Sequence, residues 1–163
     1  MPHLTILCIE DEPEVRVAVL RDLEPFQTHF RIESVEDITE AREVIAECEA
    51  EGSPVALVLC DHLLPGEYGV DFLIELKANP DTQSVRRILL TGQAGHEDTI
   101  RAINEGGLHQ YIAKPWEADQ LVAIVRDQLT HYVLASEENP LDYVPILNGP
   151  RLLDAASRSL TDR

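Results

Sequence analysis

The sequence is short of basic residues, has few cysteines and contains no long apolar run. Lys and Arg number 13 against 30 Asp and Glu, a formal net charge of -17. Such a surface repels phosphate backbones and anionic lipid heads, which argues against direct binding of nucleic acid or membrane by this chain. The cysteines, Cys8, Cys48 and Cys60, are odd in number, and Cys8 and Cys60 lie inside apolar runs. Buried structural thiols are therefore expected rather than disulfides, which suits a reducing cytoplasm. No stretch approaches the ~20 apolar residues that a membrane-spanning helix needs. The opening MPHLTILCIEDE has no basic region before its short apolar run and does not read as a secretory signal.

What is present is a globular composition, 44% hydrophobic and 26% charged over 163 residues, enough for one domain with at most a short appendage. Apolar runs at Leu4 to Ile9, about Phe30 to Val35, Val55 to Cys60, Ile88 to Leu90 and Leu108 to Ala113 predict five strands. Helical patterns alternate with them. Val15, Val17, Val19, Leu20 and Leu23 follow Pro13 and stop near Pro25; Asp37 caps a helix over Ile38 to Glu51; others span Val70 to Ala78, Glu97 to Glu105 and Glu117 to Ala135. Gly106 and Gly107 break the fourth, and Trp116 reads as a cap on the last. Strands apolar on both faces that alternate with helices indicate an α/β fold, a doubly wound three-layer sandwich around five parallel strands.

Ligands of such sheets bind beyond the carboxyl ends of the strands, where Asp11, Asp61, Thr91 and Lys114 emerge. Two acids, a hydroxyl and an ammonium suit a divalent cation and a phosphoryl group. Mg²⁺ takes hard oxygen ligands and keeps several waters, so Asp11 and Asp61 suffice, with Glu10 orienting a metal-bound water. Asp61 beside the metal is placed to attack phosphorus and form an acyl phosphate. Mg²⁺, Lys114 and Thr91 would stabilise the phosphoryl oxygens during in-line transfer. An acidic residue at one strand end is common, and the reading rests on four strand ends in the right order and type.

The sequence resembles the response-regulator receiver (CheY-like) family over about residues 3 to 134. The motifs are Ile9-Glu10-Asp11-Glu12-Pro13, Asp61-His62-Leu63-Leu64-Pro65 with Gly69 beyond it, Leu90-Thr91-Gly92 and Tyr111-Ile112-Ala113-Lys114-Pro115-Trp116. The resemblance implies a (βα)5 flavodoxin-like domain over 1–135 and a C-terminal extension or linker over 136–163. It implies Asp61 as phosphoacceptor and Mg²⁺ (or Mn²⁺) held by Asp11, Asp61, the backbone carbonyl of Leu63 and, through water, Glu10. Thr91 and Tyr111 become the switch pair, and Lys114 the phosphoryl-binding lysine. The implied function is two-component (phosphorelay) signal transduction in the cytoplasm. The partner is a cognate histidine kinase or phosphotransfer protein, and a homodimer is one possible output. The chain would be no enzyme in the usual sense, catalysing only its own phosphorylation and dephosphorylation.

Two other readings compete. A Mg-dependent aspartyl phosphatase of the haloacid-dehalogenase type usually has a second Asp two residues after its nucleophile, where this chain has Leu63. A phosphorylation-independent scaffold of receiver fold would need lost chemistry, and every required group is present. His3, His29, His62, His96, His109 and His131 show no metal-ligand spacing and read mainly as surface residues, with His62 placed near any bound phosphate. Beyond Ala135, Arg151 to Leu160 could form one short helix with Leu152, Leu153, Ala156 and Leu160 on a stripe, which favours packing or dimerisation over a free linker.

Overall fold

Leu4–Ile9 (β1), Phe30–Val35 (β2), Val55–Asp61 (β3), Arg86–Thr91 (β4) and Gln110–Ala113 (β5) form one parallel sheet, ordered β2-β1-β3-β4-β5. The computed structural model describes residues 4–92, 97–105, 107–136 and 139–161. His3, His96 and Gly106 lie outside the described residues, as does the side chain of Leu160. The two-residue period of a strand divides β1 between both faces. Leu4, Ile6 and Cys8 join a core with Val19, Leu23, Val125 and Leu129, while Leu7 and Ile9 join another with Ile38, Val70, Leu73 and Ala102. Helices Pro13–Asp22 (α1) and Ala118–Ala135 (α5) therefore cover one face. Ile38–Ala50 (α2), Gly69–Ala78 (α3) and Glu97–Asn104 (α4) cover the other. This is the expected doubly wound sandwich, and it sends every strand's carboxyl end to one edge.

Local chemistry explains the helix ends. Asp37 accepts a hydrogen bond from the Glu40 amide at 2.8 Å and caps α2 as expected. Pro13 stands at the first position of α1. The apolar stripe predicted for α1 holds in part, since Val19 and Leu23 are buried but Val17 faces water, half a turn away. Glu117, not Trp116, is the cap residue of α5. The Trp116 indole instead donates to Asp22 Oδ2 at 2.8 Å and ties the start of α5 to the end of α1.

Strand β4 begins two residues earlier than its apolar run, at Arg86 and Arg87. Both guanidiniums find neutral acceptors, which makes the burial tolerable. Arg86 donates through Nε and Nη2 to Gln128 Oε1 at 2.9 and 2.7 Å, and Arg87 donates to the carbonyls of Gln83, Val85 and Gly107. Beyond α5, a 3-10 turn at Pro140–Tyr143 leads to Gly149–Thr161 (α6). This segment packs on the α1/α5 side, burying Tyr143, Leu147 and Leu152 in that core. The Tyr143 ring lies 5.5 Å from that of Phe30, and Arg126 Nε donates to the Ile146 carbonyl at 3.1 Å.

Candidate phosphoryl and metal site

The strand ends converge as the sequence suggests. Glu10, directly after β1, is fully buried, while Asp11 is half-buried. Asp61 ends β3 and Thr91 ends β4, both buried. Lys114 follows β5, and its backbone amide donates to the Thr91 carbonyl at 2.9 Å, which locks the two strand ends together. The Lys114–Pro115 peptide is cis. A cavity of about 340 Å³ opens here, lined by Asp11, Glu12, Asp61, His62, Leu63, Thr91, Gly92 and Lys114.

The charges are arranged around one ammonium. Lys114 Nζ lies 3.0 Å from Glu10 Oε2 and 3.1 Å from Asp61 Oδ1. The His62 amide also donates to Asp61 Oδ1, at 2.9 Å, which fixes the rotation of that carboxylate. Burial pushes the Glu10 carboxyl above its ordinary range, partly offset by the hydrogen bond from Lys114. At Lys114 burial acts against the charge, but the Glu10 hydrogen bond and the Asp61 and Glu10 charges outweigh it, so its pKa is raised. Carboxylate oxygens of Glu10, Asp11 and Asp61 all lie within 4.8 Å of one another. Three hard oxygen donors so close, with one ammonium between two of them, leave negative charge in excess and fit a small divalent cation.

Of the sequence-predicted residues, Glu10, Asp11, Asp61, Leu63, Thr91 and Lys114 come together at this edge. Tyr111 stands apart on β5, 39% exposed. His62 is buried and stacks on Tyr68 with ring centroids 5.2 Å apart, rather than standing on the surface. The sequence reading missed Arg16, whose Nη1 donates to the Glu10 carbonyl at 2.9 Å. It also missed Arg42 on α2, which bridges Glu67 and Glu75. The signal for Arg16 was its place one helical turn beyond the acidic triplet; Arg42 has no local signal, because both partners are distant in sequence.

A family model described as "Response regulator receiver domain" matches residues 6–126. The chain belongs to this family. The receiver is 33% identical over 156 residues to the hydrogenase transcriptional regulatory protein HoxA of Cupriavidus necator, covering 96% of this chain and 30% of HoxA. It thus spans about a third of that relative. Among solved structures, it superposes on a signal receiver domain of an HD domain-containing protein from Pseudomonas fluorescens with TM-score 0.70 and 26% identity, covering 81% of this chain and 90% of that one. It shares the fold of the receiver domain of a sensor histidine kinase from Pseudomonas aeruginosa, solved with magnesium coordinated in its active-site cleft. That likeness has TM-score 0.62 and 24% identity, covering 77% of this chain and 97% of the other. The protein is a receiver domain of the two-component response-regulator class. No helix among the described residues is long and apolar enough to cross a membrane.

Proposed function

We propose that this receiver takes a phosphoryl group on Asp61 from the phosphohistidine of a histidine kinase or phosphotransfer protein. The observation that carries the reading is the meeting of the Asp61 carboxylate with Lys114 Nζ, at 3.1 Å, inside a cavity walled by Asp11 and Thr91. In the transfer an Asp61 oxygen bonds to phosphorus as the P–N bond breaks. The bonding pair stays on the imidazole nitrogen, which then takes a proton from water. Lys114 holds a phosphoryl oxygen, and the His62 amide keeps the carboxylate aligned. Asp11, Asp61, the Leu63 carbonyl and, through water, Glu10 would hold Mg²⁺ or Mn²⁺. When bound, such a cation supplies charge neutralisation at the phosphoryl oxygens.

The output is a change of surface rather than a new activity. The Thr91 hydroxyl moves to the phosphoryl group and Tyr111 turns inward, which remodels the face of α4, β5 and α5. That face already exposes Ile100 and Ile103 on α4, apolar side chains suited to a partner protein or a second copy of the chain. A transcriptional output, as in HoxA, is the corresponding proposal for a longer regulator carrying this receiver. Three free, buried thiols suit a cytoplasmic setting. The phosphatase reading is disfavoured because the residue two after Asp61 is Leu63, which offers no general acid.

The test is incubation with acetyl phosphate and Mg²⁺, reading intact mass and elution volume. A Mg²⁺-dependent phosphoryl adduct that disappears in Asp61→Asn is expected, with at least a hundredfold slower formation in Lys114→Ala, on the order of the loss of one charge-stabilising donor. A folded wild type that gains no mass under any condition would end the phosphoacceptor reading.

A further inference from the structure

The loop after Asp61 carries two groups on which the site depends, the His62 amide and the Leu63 carbonyl. Much of its shape is held internally. The Gly69 amide donates to the His62 carbonyl at 2.7 Å, Leu63 pairs with Tyr68 in a short antiparallel bridge, and Tyr68 stacks on His62. Gly69 packs so closely that a Cβ there would lie 1.9 Å from the Asp61 carbonyl oxygen. The loop is tied to the neighbouring helix layer by Arg42 on α2. Its Nη1 and Nη2 donate to the two carboxylate oxygens of Glu67 at 3.0 and 2.8 Å, a fork on a fork. The same guanidinium donates to both oxygens of Glu75 on α3 at 2.9 and 2.8 Å and lies 5.7 Å from the centre of the buried Phe72 ring.

We propose that Arg42 is a positioning residue for the phosphoacceptor loop: by gripping Glu67 it holds Tyr68, and through the Tyr68–Leu63 bridge it sets the Leu63 carbonyl at the cation site. The inference rests on the reading of Asp61 and Leu63 given above. An isolated exposed ion pair contributes little, because ordering two long side chains offsets the Coulomb gain. Here Glu75 and the Phe72 ring already order the guanidinium, so Glu67 docks on a preformed fork. Arg42 holds the Glu67 carboxyl below its usual range, so the pair stays ionised through neutral pH. Releasing Glu67 loosens the far end of a seven-residue loop, 62–68, whose near end directly follows the acceptor.

The experiment compares wild type, Arg42→Gln, Glu67→Gln, the double variant and Glu75→Gln by calorimetric Mg²⁺ titration and by amide hydrogen exchange over residues 62–68. Arg42→Gln and Glu67→Gln should each weaken Mg²⁺ binding about three- to tenfold and speed exchange of the loop amides. The double variant should be no worse than either single one, because both cut the same tie. Glu75→Gln keeps an acceptor for the guanidinium and leaves the Glu67 fork in place, loosening only its pre-ordering, so it should weaken Mg²⁺ binding by less than either loop variant, about twofold or under. Wild-type affinity and loop exchange in Arg42→Gln would overturn the assignment, as would equal losses in Arg42→Gln and Glu75→Gln with none in Glu67→Gln. Wild type that binds no Mg²⁺ would defeat the site reading itself, and Arg42 with it, whereas the preceding results defeat Arg42 alone.

Discussion

His109, just before β5, lies on the amino side of the sheet, away from the cavity. Its Nδ1 accepts from the Arg87 backbone amide at 2.9 Å, and burial, joined by the charges of Arg86, Arg87 and His131, pushes its pKa down to about 4. The neutral ring is therefore favoured when folded. Against an unfolded value near 6.5, its contribution to stability is present above that value and is lost as pH falls towards the folded one. His109→Asn keeps an acceptor near Nδ1 but does not titrate. Urea unfolding should show wild type losing about 2 kcal/mol more than this variant between pH 7 and pH 4.5; equal losses would refute the partly buried neutral ring. Sequence reading treats such a histidine as a surface residue, because its surroundings come from Arg86 and Arg87, more than twenty positions away. Asp11, Asp61, Thr91 and Lys114 were legible for the opposite reason. Each stands at or just past the end of an apolar run, Asp11 one place after Glu10 and Lys114 after a strand in which only Ile112 is buried, so one-dimensional order already encodes the shared edge.

At the scale of elements, legibility follows the source of each element's stability. β1 and β3 are buried along their whole length and announce themselves as apolar runs. β4 extends beyond its run because Gln128 and backbone carbonyls satisfy Arg86 and Arg87, and those partners lie on α5 and in neighbouring turns. In sequence the segment after α5 fits packing, dimerising or linking, since its few apolar residues show no target until the fold exists. The target is the aromatic corner of Phe26 and Phe30, with ring centroids 6.3 Å apart, against which Tyr143 seats. Asn148 adds a backbone donor to Thr130 Oγ1 at 3.2 Å. Tyr143→Ala should cost about 3 to 5 kcal/mol and Leu152→Ala about 2 to 4 kcal/mol in one cooperative transition. Acetyl phosphate labelling should be unchanged, because both residues pack in the α1/α5-side core and neither lines the cavity at the carboxyl ends of the strands. A loss below about 0.5 kcal/mol, the size typical of surface substitutions, would mean that the segment is only loosely attached.

The whole molecule carries a formal charge of -17, and three of its acids, Glu10, Asp11 and Asp61, meet at the strand ends. Two cation effects should therefore be separable. Monovalent salt screens the general repulsion and should raise the melting temperature gradually, with no single residue responsible. Mg²⁺ acts by mass action on one site, adding about 2.7 kcal/mol at a hundredfold excess over its dissociation constant. In a chain of this size that is a shift of roughly 5 to 10 °C. Asp11→Asn should abolish most of the Mg²⁺ shift while leaving the salt response intact, as followed by calorimetry in NaCl and in MgCl₂ at matched ionic strength. If Mg²⁺ and Na⁺ act alike at equal ionic strength in wild type, the carboxylates are only part of a diffuse acidic surface. If only Mg²⁺ loses its effect in the variant, the cluster is a cation site with Asp11 as a ligand, and the acidity elsewhere is the general background in which it works.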